Sequence, residues 1–170
     1  ALPRQIRFTL AGRCIGVIHG GIDAISQYIF ASTPTALKAD IIERLDVDAV
    51  IGGHCGLPFS EICGDGLWHN AGAIGMPAND GTTRGWFSIL TPDEETGAID
   101  LTLHHFGYDH AAAAQAIHTV TPNLPYAETL EDGLWPNMSV LPKPERQQQG
   151  RPLDPRPVVW TPSASAVAAE

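Results

Sequence analysis

The chain contains two apolar segments that end in the same way. RCIGVIHGG (13–21) and DAVIGGH (48–54) each pass from apolar residues into paired glycines and a histidine, His19 in the first and His54 in the second. The intervening segment 32–48 carries apolar residues at helical spacing on one face, namely Leu37, Ile41, Ile42 and Leu45. The order strand, helix, strand predicts an α/β unit, in which loops at the carboxyl ends of the strands carry function.

Local signals predict where several elements begin and turn. Thr33 is of a type that caps helices, and Pro34 suits the first helical turn. Gly64-Asp65-Gly66 (64–66) is typical of a hairpin turn between two short strands. RGWFSILTP (84–92) and AIDLTLHHFGYD (98–109) are predicted to be antiparallel strands joined by a turn.

The last third of the chain is predicted to be helical and then irregular. Asp109 should cap a helix over 109–120, and a second helix over 125–136 should end at Gly133. Residues 142–170 are rich in Pro, Gln and Ala without periodicity, which indicates an extended or disordered tail. The remaining residues, 1–141, are expected to form one folded unit.

Composition excludes several classes of partner. The net charge is −9 and no Lys/Arg cluster is present, which argues against nucleic acids and membrane surfaces as partners. No apolar run approaches the roughly 20 residues that a transmembrane helix needs. The 3 cysteines are too few for a disulfide framework, so a reducing, cytoplasmic location is expected.

The histidines at the two strand ends are the strongest candidates for chemistry. Neutral imidazole is a common metal ligand, and the glycines beside His19 and His54 would let a metal or ligand come close. The alternative is that both are polar strand caps bound to nearby carbonyl groups. WHNAGAIGMP (68–77) is a second cluster, in which His69 and Asn70 precede a loop of small residues that could present N–H groups to an anion. Its alternative is a tight crossover with polar caps.

The other histidines and cysteines are weaker candidates. His104 and His105 are adjacent in a strand and so point to opposite faces, which disfavours a shared metal. His110 and His118 are expected on helix surfaces. The spacing of Cys55 and Cys63 lacks the C-x-x-C pattern, so a structural zinc site is only weakly indicated. Cys55 is adjacent to His54, but neighbours in sequence often point apart, so a nucleophilic Cys55 activated by His54 receives little support.

Taken in order, these motifs resemble the C-terminal half of calcineurin-like metallophosphoesterases. VIHGG (17–21) resembles the family's strand-ending histidine, and IGGHCGLPF (51–59) resembles its G-H-x-H motif. The next motif, WHNAGAIGMP, resembles the family's Asn-Pro-Gly-Ser-type loop. Two further segments are similar to segments of a bacterial subgroup of the family, namely SQYIFAST (26–33) and YAETLEDGLWPNMSVLP (126–142). The resemblance covers residues 12–142 and implies part of a four-layer αββα sandwich, within the α/β (α+β) class.

The resemblance also implies a reaction and a set of ligands. It implies hydrolysis of small phosphate esters, mono- or diesters, by a hydroxide that bridges two divalent metal ions, which could be Mn, Fe, Zn or Ni. His19 and His54 would bind the second metal, with His54 the catalytic residue. Gly56 stands where the family has the histidine that binds the first metal, and Cys55, Gly56, His69 and Asn70 would lie near the substrate or support the ligands.

The family's N-terminal motifs are missing from this sequence. No D-x-H, G-D-x-x-D or G-N-H-[DE] motif occurs, and the residues present supply mainly one of the family's two sheets. The sequence is therefore expected to be the C-terminal part (1–141, with the tail 142–170) of an enzyme whose N-terminal half is its partner, in the same or another polypeptide. Two alternatives stay open: a non-catalytic scaffold that kept the fold, and a small zinc module built on His54, Cys55 and Cys63.

Overall fold

A computed structural model describes residues 3–161 and contains two β-sheets and four helices within that range. None of the helices in this range is long and apolar enough to cross a membrane. In chain order, the elements are β1 (Gln5–Leu10), β2 (Arg13–Ile18), α1 (Thr35–Arg44), β3 (Ala49–Gly52), β4 (Pro58–Cys63), β5 (Gly66–Ala71), β6 (Gly85–Pro92), β7 (Ile99–Phe106), α2 (His110–Val120), α3 (Pro125–Asp132), α4 (Lys143–Arg146) and β8 (Val158–Trp160).

The first sheet has five strands in the order β1-β2-β3-β5-β4. Strands β2, β3 and β5 are parallel, and α1 makes the crossover from β2 to β3, as the sequence predicts. Antiparallel strands flank this parallel centre, because β1 forms a hairpin with β2 and β4 forms one with β5. The carboxyl ends of β2, β3 and β5 therefore meet at one edge of the sheet, which is where the candidate residues lie.

A second sheet, of order β6-β7-β8, packs on one face of the first. The expectation that these residues supply mainly one sheet is therefore wrong. Alternation along β7 buries Ile99 and Leu101, which reach the first sheet and close a core between the two layers. The buried members of this core are Ile15, Ala49, Leu67, Ile99, Leu101 and Trp160.

Helix α1 covers the opposite face of the first sheet. Its predicted apolar face is confirmed, since Ile41 and Ile42 are buried and Leu37 packs on the same cluster. The predicted Thr33 cap is wrong: Thr33 Oγ1 accepts a hydrogen bond from the Phe30 backbone N–H at 2.9 Å instead. Pro34 occupies the capping position and offers no side-chain oxygen to the helix.

The turn and capping signals elsewhere are confirmed. Strands β4 and β5 form the predicted hairpin, and β6 and β7 form the second. Asp109 caps α2 by accepting a hydrogen bond from the Ala112 backbone N–H at 2.9 Å. Helix α3 ends at Gly133, whose φ of 74° is left-handed.

The described part of the tail, predicted to be extended or disordered, contains two regular elements, α4 and β8. β8 pairs antiparallel with β7, and Trp160 is buried between the sheets with its Nε1–H donating to the Asp65 carbonyl at 2.9 Å. The physical reason is that Val158 and Trp160 fill the open edge of the second sheet with apolar area. Residues 162–170 of the predicted tail lie outside the described range, and the division at residue 141 stays a prediction.

Candidate functional site

The parallel strands bring the two strand-ending histidines into contact. His19 follows β2 and His54 follows β3, and His19 Nε2 lies 2.9 Å from His54 Nδ1. The ring centroids are 4.8 Å apart in an edge-to-face arrangement. The Gly53 backbone N–H donates to the His19 carbonyl at 3.0 Å, and a Cβ at Gly53 would lie only 3.1 Å from that oxygen. Glycine at position 53 therefore permits the close approach of the two loops.

His54 is held in an unfavourable setting. Its φ is 60°, a left-handed conformation that L-residues with side chains adopt rarely. Tyr28 covers its ring at a centroid distance of 4.3 Å. The Nε2 atom is buried and has no hydrogen-bond partner among the described residues. Burial, and then the neighbouring His19, lower the pKa of His54, while the Ser26 backbone acts in the opposite direction. The ring is therefore kept neutral, which is the form that binds metals.

The histidine pair fits part of a metal site. A separation of 2.9 Å suits two nitrogens in neighbouring coordination positions of one ion, since each would lie about 2.1 Å from it. Within residues 3–161, however, no group of three or more His, Cys, Asp or Glu side chains is arranged to hold a metal ion. Two neutral imidazoles bring no negative charge to balance a dication, so further ligands are needed for tight binding.

Asn70 supports the loop that carries His54. It lies at the end of β5, and its Nδ2 donates to the Gly53 carbonyl at 2.9 Å and to Cys55 Sγ at 3.2 Å. Its Oδ1 accepts a hydrogen bond from the Gly72 backbone N–H at 3.0 Å. All three contacts are made by a side chain that is itself buried, so Asn70 holds the Gly53 backbone before His54 and the Cys55 side chain after it.

The structure places His69 away from this edge. Successive residues of a strand point to opposite faces, and His69 faces the second sheet while Asn70 faces the His54 loop. The His69 ring is fully buried between Ser60, whose Oγ is 2.7 Å from Nδ1, and Ser88, whose Oγ is 2.6 Å from Nε2. Burial lowers its pKa to about 4. His69 is thus a neutral bridge between the sheets and cannot contact a substrate at the strand ends.

The cysteines do not form a reactive or zinc-binding group among the described residues. Cys55 is buried, its Sγ lies 3.6 Å from the Leu57 carbonyl, and burial raises its pKa to about 11. Cys63 turns its Sγ to the Glu61 carbonyl at 3.6 Å. The structure therefore provides no assembled site for the zinc module considered above.

Gly56 packs against two side chains that line a cleft beside His54. Its φ is 70°, and a Cβ at this position would lie 2.4 Å from Met76 Cε and 3.5 Å from the Trp135 ring. The space toward which a side chain at position 56 would project is thus held by Met76 and Trp135. The adjoining cleft has a volume of about 350 Å³ and is lined by His54, these two residues and further aromatic and aliphatic groups.

Sequence reasoning missed the residues that line this cleft. Tyr28, Tyr126 and Trp135 lie in two segments that served only as points of family resemblance. Tyr28 and Trp135 lie in loops, whereas Tyr126 lies in the first turn of α3, and the available signal was the aromatic character of these segments. Loops that precede or follow regular elements are where binding residues concentrate.

No protein-family model and no curated protein sequence matches the chain. Among solved structures, the hypothetical protein PH1004 of Pyrococcus horikoshii OT3 aligns with a TM-score of 0.65 and 17% identity, over 78% of this chain and 51% of that one. A metallophosphoesterase from Sphaerobacter thermophilus aligns with a TM-score of 0.63 and 19% identity, over 79% of this chain and 59% of that one.

These likenesses define the fold class. The described residues have a mixed α/β fold that matches a metallophosphoesterase structure, as the sequence predicts. The chain spans between half and three fifths of the length of the two structures that it matches. The bacterial subgroup inferred from the sequence stays a prediction.

Proposed function

We propose that the intact protein containing this chain is a metal-dependent hydrolase of phosphate mono- or diesters. The observation that carries the proposal is the His19–His54 pair, whose ring nitrogens converge to 2.9 Å at the ends of two parallel strands. The pair lies within a fold that matches about half of a metallophosphoesterase. Ligand sites of open parallel sheets lie at this end of the strands.

In this proposal, His19 Nε2 and His54 Nδ1 bind a divalent ion, which is Mn, Fe, Zn or Ni. When bound, the ion would polarise a phosphoryl oxygen and lower the pKa of a coordinated water. The chain's own residues prepare the site: burial keeps His54 neutral, Tyr28 covers its ring, and Asn70 fixes the loop. Little reorganisation is then needed when the ion binds.

The remaining ligands, and a second ion, would come from an N-terminal half of the enzyme. Support comes from the shared length, since the chain spans 51% and 59% of the two matching structures. Support also comes from β1, an edge strand whose Ile6 and Phe8 are exposed. An unpaired edge with apolar side chains is a surface that proteins normally cover. We place the enzyme in the cytoplasm, where the three free cysteines would stay reduced.

The test is hydrolysis of phosphate esters by the intact protein with added Mn²⁺ or Zn²⁺. His54→Ala should lower kcat/KM by about 100-fold or more, because it removes an ion ligand. His105→Ala, on the exposed side of β7, is the matched control and should keep the parent activity. Near-normal turnover by the His54 variant would overturn the proposal.

One observation favours a second candidate, a non-catalytic scaffold. The position at which the resemblance places another ligand is Gly56, and Met76 holds the space in front of it. A scaffold would hydrolyse no ester in the intact protein and would gain no activity in Gly56→His with added Mn²⁺. Activity of the parent protein that depends on His54 would exclude the scaffold.

A further inference from the structure

A cleft of about 350 Å³ lies directly beside His54. Its volume falls at the lower end of the roughly 300–1,000 Å³ typical of small-molecule sites. No Asp, Glu, Lys or Arg lines it. Its lining includes Tyr28, Met76, Tyr126, Trp135 and Val140, together with the polar side chains of Thr129 and Asn137. The cleft is therefore uncharged, and it touches the proposed metal site through the His54 ring.

The aromatic walls are fixed before any ligand enters. Tyr28 stacks on Phe30 with an interplanar angle of 3° and a centroid distance of 5.6 Å. Trp135 donates from Nε1 to the Pro77 carbonyl at 2.7 Å and from its backbone N–H to Asn79 Oδ1 at 2.7 Å. Rings that are held in place by their neighbours lose little rotational freedom when a ligand binds between them.

Tyr126 and Met76 complete the cleft. The Tyr126 hydroxyl donates to the Gly75 carbonyl, which anchors the loop that also carries Met76. The Met76 methyl group lies where a side chain at Gly56 would otherwise project. Thioether sulfur and aromatic rings both make favourable contacts with an aromatic group.

We propose that this cleft receives a planar aromatic group of the substrate's alcohol portion while the phosphate lies at the histidine pair. The inference rests on the proposed function and deepens it by naming the substrate class, aryl- or arylmethyl-type phosphate esters. Three aromatic side chains and a thioether around an uncharged cleft favour an aromatic ring over an aliphatic chain. Continuity with His54 favours a substrate over an unrelated ligand.

The experiment compares three ligands with the full chain in the presence of Zn²⁺. Benzyl phosphate and cyclohexylmethyl phosphate have similar size and similar leaving groups, and methyl phosphate lacks the ring. The chain has 2 methionines, so ¹³C-methyl labelling gives one signal from Met76, which lines the cleft, and one from Met138, which packs on the same cluster but does not line the cleft. A bound aromatic ring shifts the Met76 signal by its ring current, whereas a cyclohexyl ring has none.

We expect benzyl phosphate to shift the Met76 signal and to bind about tenfold more tightly than the other two ligands, from ring–ring contacts of about 1.4 kcal/mol. Val140→Trp should fill the half-exposed rim of the cleft and remove this preference. Val159→Trp, on the exposed face of β8, is the matched control and should preserve it.

Two results would overturn the inference. One is an unchanged Met76 signal at saturating benzyl phosphate, and the other is equal affinity for the benzyl and cyclohexylmethyl esters. The inference and the proposed function fail separately. A benzyl preference without hydrolysis of any ester by the intact protein would refute the hydrolase and keep the aromatic subsite. Hydrolysis of phosphate esters without a preference for benzyl phosphate would support the hydrolase and refute the aromatic subsite.

Discussion

The bridge made by His69 between the two sheets should make the chain unstable in acid. The ring is fully buried, and its hydrogen-bond partners within residues 3–161 are the hydroxyl groups of Ser60 and Ser88. Neither hydroxyl can neutralise a positive charge on the ring. Burial accordingly lowers the pKa of His69 to about 4, whereas the unfolded chain has the ordinary value of 6.5.

The sign and size of the effect follow from these two values. Above pH 6.5 the ring is neutral in both states, so its contribution to the free energy of unfolding is constant. Between pH 6.5 and about 4 only the unfolded chain takes up the proton, so stability falls as the pH falls. At about 1.4 kcal/mol per pH unit, the total loss is about 3 kcal/mol. Below pH 4 both states are protonated and the loss stops growing.

The assay is urea unfolding followed by tryptophan fluorescence at several pH values between 4 and 7.5. His69→Gln keeps hydrogen-bonding capacity but cannot be protonated, so the stability difference between the parent and this variant should shrink by about 3 kcal/mol across the range. His105→Gln, at an exposed position of β7, serves as the control and should follow the parent. If His69→Gln shows the same pH dependence as the parent, burial of His69 is not the cause.

Three further predictions concern the tail, a buried carboxylate and the cysteines. Trp160→Ala should lower the free energy of unfolding in urea by roughly 3–5 kcal/mol, because it leaves a cavity between the sheets. Val159→Ala, at an exposed position, should change it little, and equal effects of the two variants would contradict the packing of β8 at the edge of the second sheet. Asp80→Ala should cost roughly 3–5 kcal/mol, since it leaves the partly buried Arg84 and the backbone N–H groups of Thr82 and Leu153 without this buried acceptor. A loss below about 1 kcal/mol would contradict this. After treatment with iodoacetamide at pH 8, mass spectrometry should find the part-exposed Cys14 modified and Cys55 unmodified until urea is added. The reason is that burial raises the pKa of Cys55 to about 11. Modification of Cys55 in the folded chain would refute that burial.

The elements that could be predicted from the sequence are those set by local patterns. The spacing of Ile41 and Ile42 fixed the buried face of α1, and Asp109 and Gly133 marked the bounds of two helices. Helical periodicity and capping act within a few residues, so a single sequence carries them. The convergence of His19 and His54 was also accessible, because parallel strands align their carboxyl ends.

What could not be predicted depends on contacts between distant parts of the chain. Residues 158–160 pair with β7, which is about 60 residues earlier in the chain. No local sequence pattern indicates that β7 has a free edge at which a third strand can pair. The same holds for the buried Lys38, whose ammonium group donates to the Ala31 and Thr33 carbonyls and to the Glu61 carboxylate. The cleft at Trp135 likewise combines segments far apart in sequence.

The expected position of His69 near the substrate was an avoidable error. The alternation rule that separated His104 from His105 applies equally to His69 and Asn70, which are adjacent in β5. Applied there, it would have assigned one side chain to the strand-end site and the other to the face between the sheets. The structure shows that division, with Asn70 at the His54 loop and His69 between two serines.

The two histidines with lowered pKa values differ in how far their burial is compensated. His69 has hydrogen-bond partners at both ring nitrogens and lies in a regular strand, so its burial is compensated. His54 has a left-handed backbone and a buried Nε2 with no partner among the described residues, at a cost of about 1–3 kcal/mol for each feature. Such unfavourable conformations persist where the surrounding structure holds them in place. Here Asn70 holds the loop of His54 and Tyr28 covers its ring. The position of His54 thus lowers the stability of this chain, and in the proposed function its Nδ1 would bind the ion together with His19 Nε2.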